Sequence, residues 1–483
     1  MTPQRRTASG DRRPPARAAL RALVGALVAV LVLSGCGARL VRGEASPKQA
    51  PVSDVAPQDL PIVGAADDDV DRIARNALVD LNTYWAHQFP EVYRRQFTPL
   101  AGGYFSVDPA DLDPAAYPGG EIGCGQEPSA VEDNAFYCSA DEGTRNGDAI
   151  QYDRSFLREL AGSSGRFVQF IPALVMAHEF GHAVQGRVGY PRPPYSIAIE
   201  TQADCFAGAW TKWVALGQAQ HSSIRPAELD EVLRGYLLLR DPVGTGAGAQ
   251  EAHGSYFDRV SAFQEGFDDG PTACRDDFGE QRQYTQARFS DQDLLSNGDA
   301  SYRVTVGTFV PEALPEFWTG AFTALGRGAF QRPDVAPFSR RAPACAADRG
   351  EDLVYCEDGD RVGYDETDLV RPLYEDVGDY AVLTAVAVPY ALAAREQLGL
   401  STGDRDAVRS AVCLAGAFTQ AVLAGRSQVI SISPGDVDES VRFLLEYGTQ
   451  PEVLGDAGLT GFQLVDVFRG GVFEGLPACD VDA

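Results

Sequence analysis

The sequence predicts a mainly helical α+β fold that occurs twice along the chain, the second time in a degenerate form. Two observations lead to this prediction. Apolar residues recur at helical spacing over long segments, and short strand-like pieces lie beside cysteine loops between them. Similar segments also follow one another in the same order in both halves of the 483 residues. A chain of this length can form two or three domains, each with its own core.

The repeated segments establish the two copies. The segment ADCFAGAW (203–210) resembles AVCLAGAF (411–418), and FQEGFDDGPTAC (263–274) resembles FRGGVFEGLPAC (468–479). Three further pairs occur in the same order. One such match could arise by chance, but five pairs in the same order indicate a duplication.

We therefore predict a first domain over residues 67–290 and a degenerate, non-catalytic repeat domain over 303–483. The first domain is expected to contain, in order, a helix with apolar positions Ile73, Ala77, Leu81 and Trp85, a cysteine loop, a strand at 148–153, and two apolar helices over 166–186 and 196–217. In the second domain, the apolar segment 382–394 is too short to span a bilayer and is expected to be a core helix.

The first 36 residues are predicted to be a lipoprotein signal peptide. Arginines precede an apolar run from Leu23 to Leu33, which has the length of a signal peptide. The run ends in LSGC, which resembles the lipobox of bacterial lipoproteins and makes Cys36 the lipidated residue; an ordinary signal peptide or an uncleaved anchor are the alternatives. Residues 37–66 are rich in Pro, Ala and Ser and are predicted to be a flexible linker. We expect a lipid-anchored protein on the extracytoplasmic face of the cell membrane.

The net charge argues against one class of partner. The formal charge is -27 and the sequence pI is about 4.5. Phosphate contacts need clustered Lys and Arg, so we expect no nucleic-acid partner.

The cysteines are predicted to form disulfides. Eight cysteines besides Cys36 make an even number in a chain that we expect to be exported. Each copy has a near pair and a far pair at matching places. Cys205 is alternatively a thiolate metal ligand, but its counterpart Cys413 lies in a half without histidine, which favours a structural role. The predicted bonds are Cys124–Cys138, Cys205–Cys274, Cys345–Cys356 and Cys413–Cys479.

The stretch VMAHEFGHAVQG (175–186) contains a His-Glu-x-x-His motif. Residues i and i+4 lie on one helix face, so His178 and His182 can bind one zinc ion through imidazole nitrogens. Glu179 lies one residue further round the helix and is placed to act on water. The alternative is a surface helix with two solvated histidines. The surrounding residues are apolar and predict a buried helix instead, in which unpaired histidines would be costly.

A catalytic zinc site needs a third protein ligand and an open fourth position. Glu200 is the best candidate, because it follows His182 by 18 residues across a turn that lets a second helix fold back. Asp204 lies one helical turn beyond Glu200 and is placed to accept the other ring N–H of a histidine ligand. His221 and His253 are the rival third ligands.

Three motifs, HEFGHAVQ, ETQADCFAGAW and HGSYFDRVSAFQEGF, resemble the putative neutral zinc metallopeptidase family of bacteria. The Glu-x-x-x-Asp pattern is similar to that of the gluzincin proteases. The resemblance covers roughly residues 70–285 and implies a zincin-like metallopeptidase domain with a small sheet, whose edge strand can hold an extended peptide. Residues 148–153 are the candidate edge strand. Ala183 departs from many members, which carry a further histidine there, although that histidine is not a required ligand.

The second copy provides an internal comparison. When the copies are aligned through Cys205 and Cys413, Glu200 falls on Val408 and Asp204 falls on Val412. The histidine helix falls on a segment without histidine. The polar positions are lost together while the cysteines and the apolar pattern remain, so these residues are dispensable for the fold and are expected to serve chemistry in the first copy.

These features predict a membrane-anchored zinc metallopeptidase, a hydrolase with one Zn²⁺ per chain and a peptide or protein substrate. Zinc lowers the pKa of water, and Glu179 is expected to act as the general base and to pass the proton to the leaving amine. The alternative is an envelope scaffold or binding lipoprotein with a structural zinc or vestigial activity. The candidate donors to the oxyanion are Tyr152, Tyr195, His253 and Tyr256.

Overall fold

The structure is a computed structural model that describes residues 52–66, 68–140, 145–163, 168–246, 249, 252–285 and 298–481. The predicted signal peptide, Cys36 and residues 37–51 of the predicted linker lie outside the described residues. The described part is a mainly helical α+β fold with two small sheets, and the prediction of this class is confirmed.

The first half contains helices and strands in the predicted order, with single 3₁₀ turns between Pro109 and Val131. The helices are α1 (Asp69–Tyr93), α2 (Arg154–Gly162), α3 (Phe170–Val188), α4 (Ser196–Ala215), α5 (Pro226–Leu239), α6 (Tyr256–Asp269) and α7 (Pro271–Asp276). The strands are β1 (Gly103–Val107), β2 (Ala135–Cys138) and β3 (Ala149–Asp153).

The second half follows a similar order of elements. Its helices are α8 (Tyr302–Val304), α9 (Val310–Ala324), α10 (Arg371–Asp376), α11 (Asp379–Gln397), α12 (Arg405–Leu423), α13 (Asp436–Arg442), α14 (Pro451–Leu454) and α15 (Gly461–Glu474). Its strands are β4 (Asp334–Phe338), β5 (Leu353–Cys356) and β6 (Arg361–Asp365). Helix α13 continues into a π-helical turn, Phe443–Tyr447.

Helix α1 shows how local sequence sets an element. The side chain of Asp68 accepts the N–H of Asp71 at 2.9 Å and so caps the helix start. Arg94, in the left-handed region with φ 57°, ends the helix. The apolar residues at helical spacing face the core and are buried, as predicted: Ile73, Ala77, Leu81 and Trp85.

The two sheets have the same strand order. In the first sheet, β3 lies between β1, to which it is parallel, and β2, to which it is antiparallel. The second sheet places β6 between parallel β4 and antiparallel β5. The prediction of an edge strand at 148–153 is therefore wrong, because β1 pairs along the second side of β3. The edges of the first sheet are β1 and β2.

Residues 52–66 pack against the first half. The N–H of Val55 donates to Asn76 Oδ1 at 2.9 Å, and Val63 forms a parallel bridge with Phe105. Val55 and Ile62 are buried. The prediction of a flexible linker is therefore wrong for this part. The segment has the average composition of a spacer, but its two buried apolar side chains, Val55 and Ile62, attach it to the first half.

Glycines bring two pairs of helices into close contact. Gly208 of α4 faces Gly266 of α6, and a Cβ on either would overlap a backbone carbonyl of the facing helix. Gly416 of α12 and Gly471 of α15 make the same arrangement in the second half. Both pairs stand beside the first cysteine of a long-range disulfide.

The two halves exchange helix caps. Asp438 of α13 accepts the N–H groups of Tyr256 and Phe257, the first residues of α6, at 3.2 and 2.9 Å. Asp230 of α5 accepts the N–H groups of the first two residues of α15, at 3.0 and 2.8 Å. Each carboxylate satisfies donors that a helix start leaves without intrahelical partners, and each lies in the opposite half.

The core and the disulfides stabilise this arrangement. One continuous apolar cluster includes buried side chains from both halves. All four predicted disulfides are confirmed: Cys124–Cys138, Cys205–Cys274, Cys345–Cys356 and Cys413–Cys479.

The apolar segment 382–394 lies within α11 and is buried, as predicted. In the described ranges, we find no helix that combines the length and the apolar character needed to cross a bilayer.

Candidate metal centre

Helices α3 and α4 bring three potential metal ligands together. His178 and His182 lie one turn apart on α3, with their Nε2 atoms 3.2 Å apart. Glu200 Oε2 on α4 lies 3.2 Å from His178 Nε2 and 3.5 Å from His182 Nε2. Gly181 allows this approach, since a Cβ there would lie 2.9 Å from the Cα of Ala203 on α4.

The three donor atoms fit a zinc ion. Zinc takes imidazole nitrogens and carboxylate oxygens at about 2.0–2.2 Å in a tetrahedron, which places neighbouring ligands roughly 3.3–3.5 Å apart. The distances among His178, His182 and Glu200 agree with that separation. The donor set also leaves a fourth position for water or substrate, as catalytic sites do.

The charges at the centre favour a cation. Burial lowers the pKa of His178, but the carboxylates of Asp204 and Glu200 more than offset this and raise it to about 10. Burial raises the pKa of Glu200, yet the two imidazoles hold it well below its usual range. The carboxylates around His178 therefore favour a positive charge at this position, which a bound metal ion would supply.

Hydrogen bonds to the second ring nitrogens orient both histidines. Asp204 Oδ1 accepts from His178 Nδ1 at 2.8 Å, as predicted from its place on α4. Gln185 Oε1 lies 2.9 Å from His182 Nδ1. Each bond assigns the proton to Nδ1 and leaves Nε2 free to bind metal.

The oxygens of Asp204 are themselves held by a residue that sequence reasoning missed. Arg259 of α6 donates from Nε to Oδ2 at 2.8 Å and from Nη2 to Oδ1 at 2.9 Å. Both side chains are buried. Burial raises the pKa of Asp204, but Arg259 and His178 outweigh it, so the pKa falls below its usual value. Arg259 and Gln185 both lie inside the sequence motifs quoted above, but the spacing of residues in those motifs did not assign a role to either.

Glu179 stands beside the ligands but is not one of them. It lines the cavity in front of His178 and His182 and is 6% exposed. The backbone N–H of Tyr137 donates to its Oε2 at 2.8 Å. Burial raises its pKa, against the lowering effect of the two histidines. A carboxylate with a raised pKa next to the ligand atoms suits proton transfer.

A cavity of about 1010 Å³ opens in front of these residues. The edge strand β2 forms one wall, with Asn134 to Ser139 lining it. All lining residues belong to the first half, among the described residues. The edge that faces the site is therefore β2 and not the segment 148–153.

The structure distinguishes among the remaining candidates for the third metal ligand and for the oxyanion donor. His221 lies outside the cavity and contacts the backbone oxygen of Ser53, whereas His253 lines the cavity and pairs with Asp241 at 3.3 Å. Among the proposed oxyanion donors, only His253 lines the cavity. The tyrosines are placed elsewhere: Tyr152 bonds Asp71, Tyr256 starts α6, and Tyr195 is 58% exposed.

The corresponding part of the second half contains none of these ligands. Val408 and Val412 lie on α12, where the sequence alignment places Glu200 and Asp204. The disulfide of Cys205, confirmed above, removes its thiolate from the set of candidate ligands, and the same bond occurs at Cys413.

Comparisons with known proteins agree with this centre. The model of a family described as "putative neutral zinc metallopeptidase" matches residues 4–278. The uncharacterized protein YpfJ of Escherichia coli (strain K12) is 32% identical over 177 residues, which cover 32% of this chain and 58% of YpfJ. The uncharacterized protein Rv2575 of Mycobacterium tuberculosis is 28% identical over 180 residues, covering 32% of this chain and 59% of that protein. The chain thus spans less than two thirds of each relative. No solved structure matches it.

Proposed function

Because the chain belongs to the putative neutral zinc metallopeptidase family, we propose that its first half is a zincin-like, zinc-dependent peptidase. The observation that carries the proposal is the convergence of His178, His182 and Glu200, with their three donor atoms within 4.8 Å of one another. Glu179 adds an acid–base group beside them. A structural zinc site would instead be closed by a fourth protein ligand.

One zinc ion per chain would be held by His178, His182 and Glu200. When bound, zinc lowers the pKa of water and polarises the peptide carbonyl. Glu179 accepts the proton of the attacking water and returns it to the leaving amine, and the N–H of Tyr137 holds its carboxylate in position. His253 is the candidate donor to the oxyanion, because it lines the same cavity.

The substrate is proposed to be an extended peptide segment along β2. This strand pairs with β3 on one side only and lines the cavity with its other side. Main-chain hydrogen bonds to an edge strand bind peptides of varied sequence. Such binding would bring a peptide carbonyl close to Glu179.

The second half is proposed to be a degenerate, non-catalytic copy of the first, over 303–483. The same strand order, matching disulfides and matching glycine contacts support this origin.

We also propose lipid anchoring at Cys36 on the extracytoplasmic face of the membrane. Cys36→Ala should then move the protein from the membrane fraction to the soluble one; retention in the membrane would indicate an uncleaved anchor.

The variant Glu179→Gln separates a peptidase from a scaffold. The amide keeps the size of the side chain but cannot accept a proton. Zinc content should stay near one per chain, while cleavage of an unfolded protein substrate slows by about 10²–10⁴, the usual contribution of a general base. Glu200→Gln is the control, because it removes a charged ligand and should lower the zinc content itself. Equal activity of wild type and Glu179→Gln would favour the scaffold.

A further inference from the structure

A second cluster of acidic side chains lies in the second half, at the start of α11. Oxygens of Asp299, Asp379 and Glu439 lie within 4.8 Å of one another. Asp379 and Glu439 are only 3% and 7% exposed. Asp436, also buried, adds a fourth carboxyl group nearby.

One oxygen of this cluster has no hydrogen-bond partner. Asp379 Oδ2 accepts the N–H of Ala300 at 3.0 Å, but the buried Oδ1 accepts from no group in the described part of the chain. A buried, unsatisfied carboxylate oxygen is costly unless a ligand or ion completes it. Gly378, with φ 148°, leaves the space that the cluster needs, since a Cβ there would overlap the carboxylate of Glu439.

The nearby arginines are bound to other groups. Asp299 and Glu439 line a cavity of about 320 Å³ together with Arg240 and Arg442. Arg240 pairs with Asp438 at 2.7 Å, and Arg442 pairs with Glu446 at 3.2 Å. Within the described residues, the three carboxylates therefore have no basic partner.

The residue of the first half that is equivalent to Glu439 has a basic partner, whereas Glu439 has none among the described residues. Asp230 and Asp438 are equivalent, because each caps a helix of the opposite half, and the residues after them are Glu231 and Glu439. Glu231 pairs with Arg234 at 2.9 Å. Glu439 instead faces acidic side chains. Burial, followed by the neighbouring carboxylates, accordingly raises its pKa well above the usual range.

We propose that Asp299, Asp379 and Glu439 bind one Ca²⁺ ion. An all-oxygen set suits a hard cation. Calcium, with bonds of about 2.3–2.6 Å and a flexible geometry, accommodates three carboxylates in one site, whereas Mg²⁺ is usually held by one or two carboxylates and water. The cavity provides room for the water molecules that complete a coordination number of about 6–8.

The ion would join three separate segments. Asp299 lies before α8, Asp379 begins α11, and Glu439 lies on α13, where its Oε2 also accepts the N–H groups of Tyr380 and Ala381 at 2.8 and 3.2 Å. The residue before Glu439 is Asp438, which caps α6. Calcium would therefore stabilise the contact between the two halves.

The test is calorimetric titration of the full-length, zinc-loaded protein with CaCl2 in chelator-free, calcium-free buffer. We expect saturable heat at one Ca²⁺ per chain and a rise in Tm with CaCl2 concentration. Asp379→Asn should abolish both responses. Glu231→Gln, at the position in the first half that is equivalent to Glu439, should leave both unchanged.

Three outcomes would overturn the proposal. One is a wild-type protein without saturable heat, whose Tm does not respond to millimolar CaCl2; the carboxyls would then share protons instead of a metal. Another is an undiminished calcium response in Asp379→Asn. If that variant fails to fold, Asp299→Asn, at an exposed position, replaces it, and an unchanged calcium response there would equally contradict the site.

Discussion

Arg259 and Asp204 form a doubly hydrogen-bonded ion pair in the core, with distances of 2.8 and 2.9 Å. Asp204 in turn orients His178. Through Asp204, a residue of α6 thus helps to set the position of a proposed ligand on α3 without being a ligand itself.

Removing the charge of Asp204 should weaken both the fold and the metal site. Asp204→Asn leaves the buried guanidinium of Arg259 unpaired, and breaking such a pair lowers the free energy of unfolding by about 3–5 kcal/mol. Loss of the bond to His178 should reduce zinc affinity by roughly 10–100-fold. Zinc titration and urea unfolding measure the two effects. Asp466→Asn, which disturbs the buried pair with Arg469 in the second half, should lower stability alone.

The glycine contacts allow a matched comparison of the halves. Gly266→Ala should force α4 and α6 apart and lower the free energy of unfolding by about 1–3 kcal/mol, as overpacking does. Since α4 carries Glu200 and Asp204, zinc affinity should fall as well. Gly471→Ala makes the same overlap between α12 and α15 and should lower the Tm without changing zinc affinity. Equal zinc affinities of the two variants would show that the ligand geometry does not depend on this contact.

The exchanged caps predict a dependence of the first half on the second. Asp438→Ala removes the acceptor of the first two N–H groups of α6, the helix that carries Arg259, and leaves Arg240 without its partner, while Ser255 still caps the helix. Asp230→Ala removes the equivalent cap from α15. Each should lower the free energy of unfolding by about 0.5–2 kcal/mol. Only Asp438→Ala should also reduce peptidase activity, measured at saturating zinc. Equal loss in both would mean that the effect is a general one on stability.

The acidic cluster predicts a pH dependence of stability. Burial, followed by the charge of Asp299, raises the pKa of Asp379 to about 6 in the folded protein, from an ordinary 3.8. The folded state therefore binds this proton more tightly, and the stabilisation, about 3 kcal/mol, is complete below pH 3.8 and is lost as the pH rises through 6. The charged groups that face Asp379 or line the adjoining cavity are Asp299, Asp436, Asp438, Glu439, Arg240 and Arg442.

Urea unfolding of wild type and Asp379→Asn in calcium-free buffer isolates this contribution. The variant should gain stability relative to wild type as the pH rises from about 4 to about 8. A constant difference across that range would contradict the shifted pKa. CaCl2 should restore the wild type at high pH, where the carboxylates are ionised.

The metal centre could be predicted where it depends on local geometry. The i, i+4 spacing places His178 and His182 on one face of any helix, and a short turn makes Glu200 a natural third ligand. Arg259 could not be assigned in this way, because it contacts Asp204 across a sequence separation of 55 residues. Strand order was missed for the same reason: β3 is central only because β1, some 45 residues earlier, pairs with it.

The exchanged caps have the form of a two-fold symmetric contact, in which Asp230 and Asp438 make the same bonds in opposite directions. On the duplication proposed above, this is the contact that two identical subunits of a homodimer would make before their fusion into one polypeptide. After such a fusion, one copy no longer needs to be catalytic. The surface by which it contacts the other copy is still needed to stabilise the chain. Residues 303–483 contain no histidine, while Asp438 still caps α6, and this combination is what such a fusion would be expected to leave.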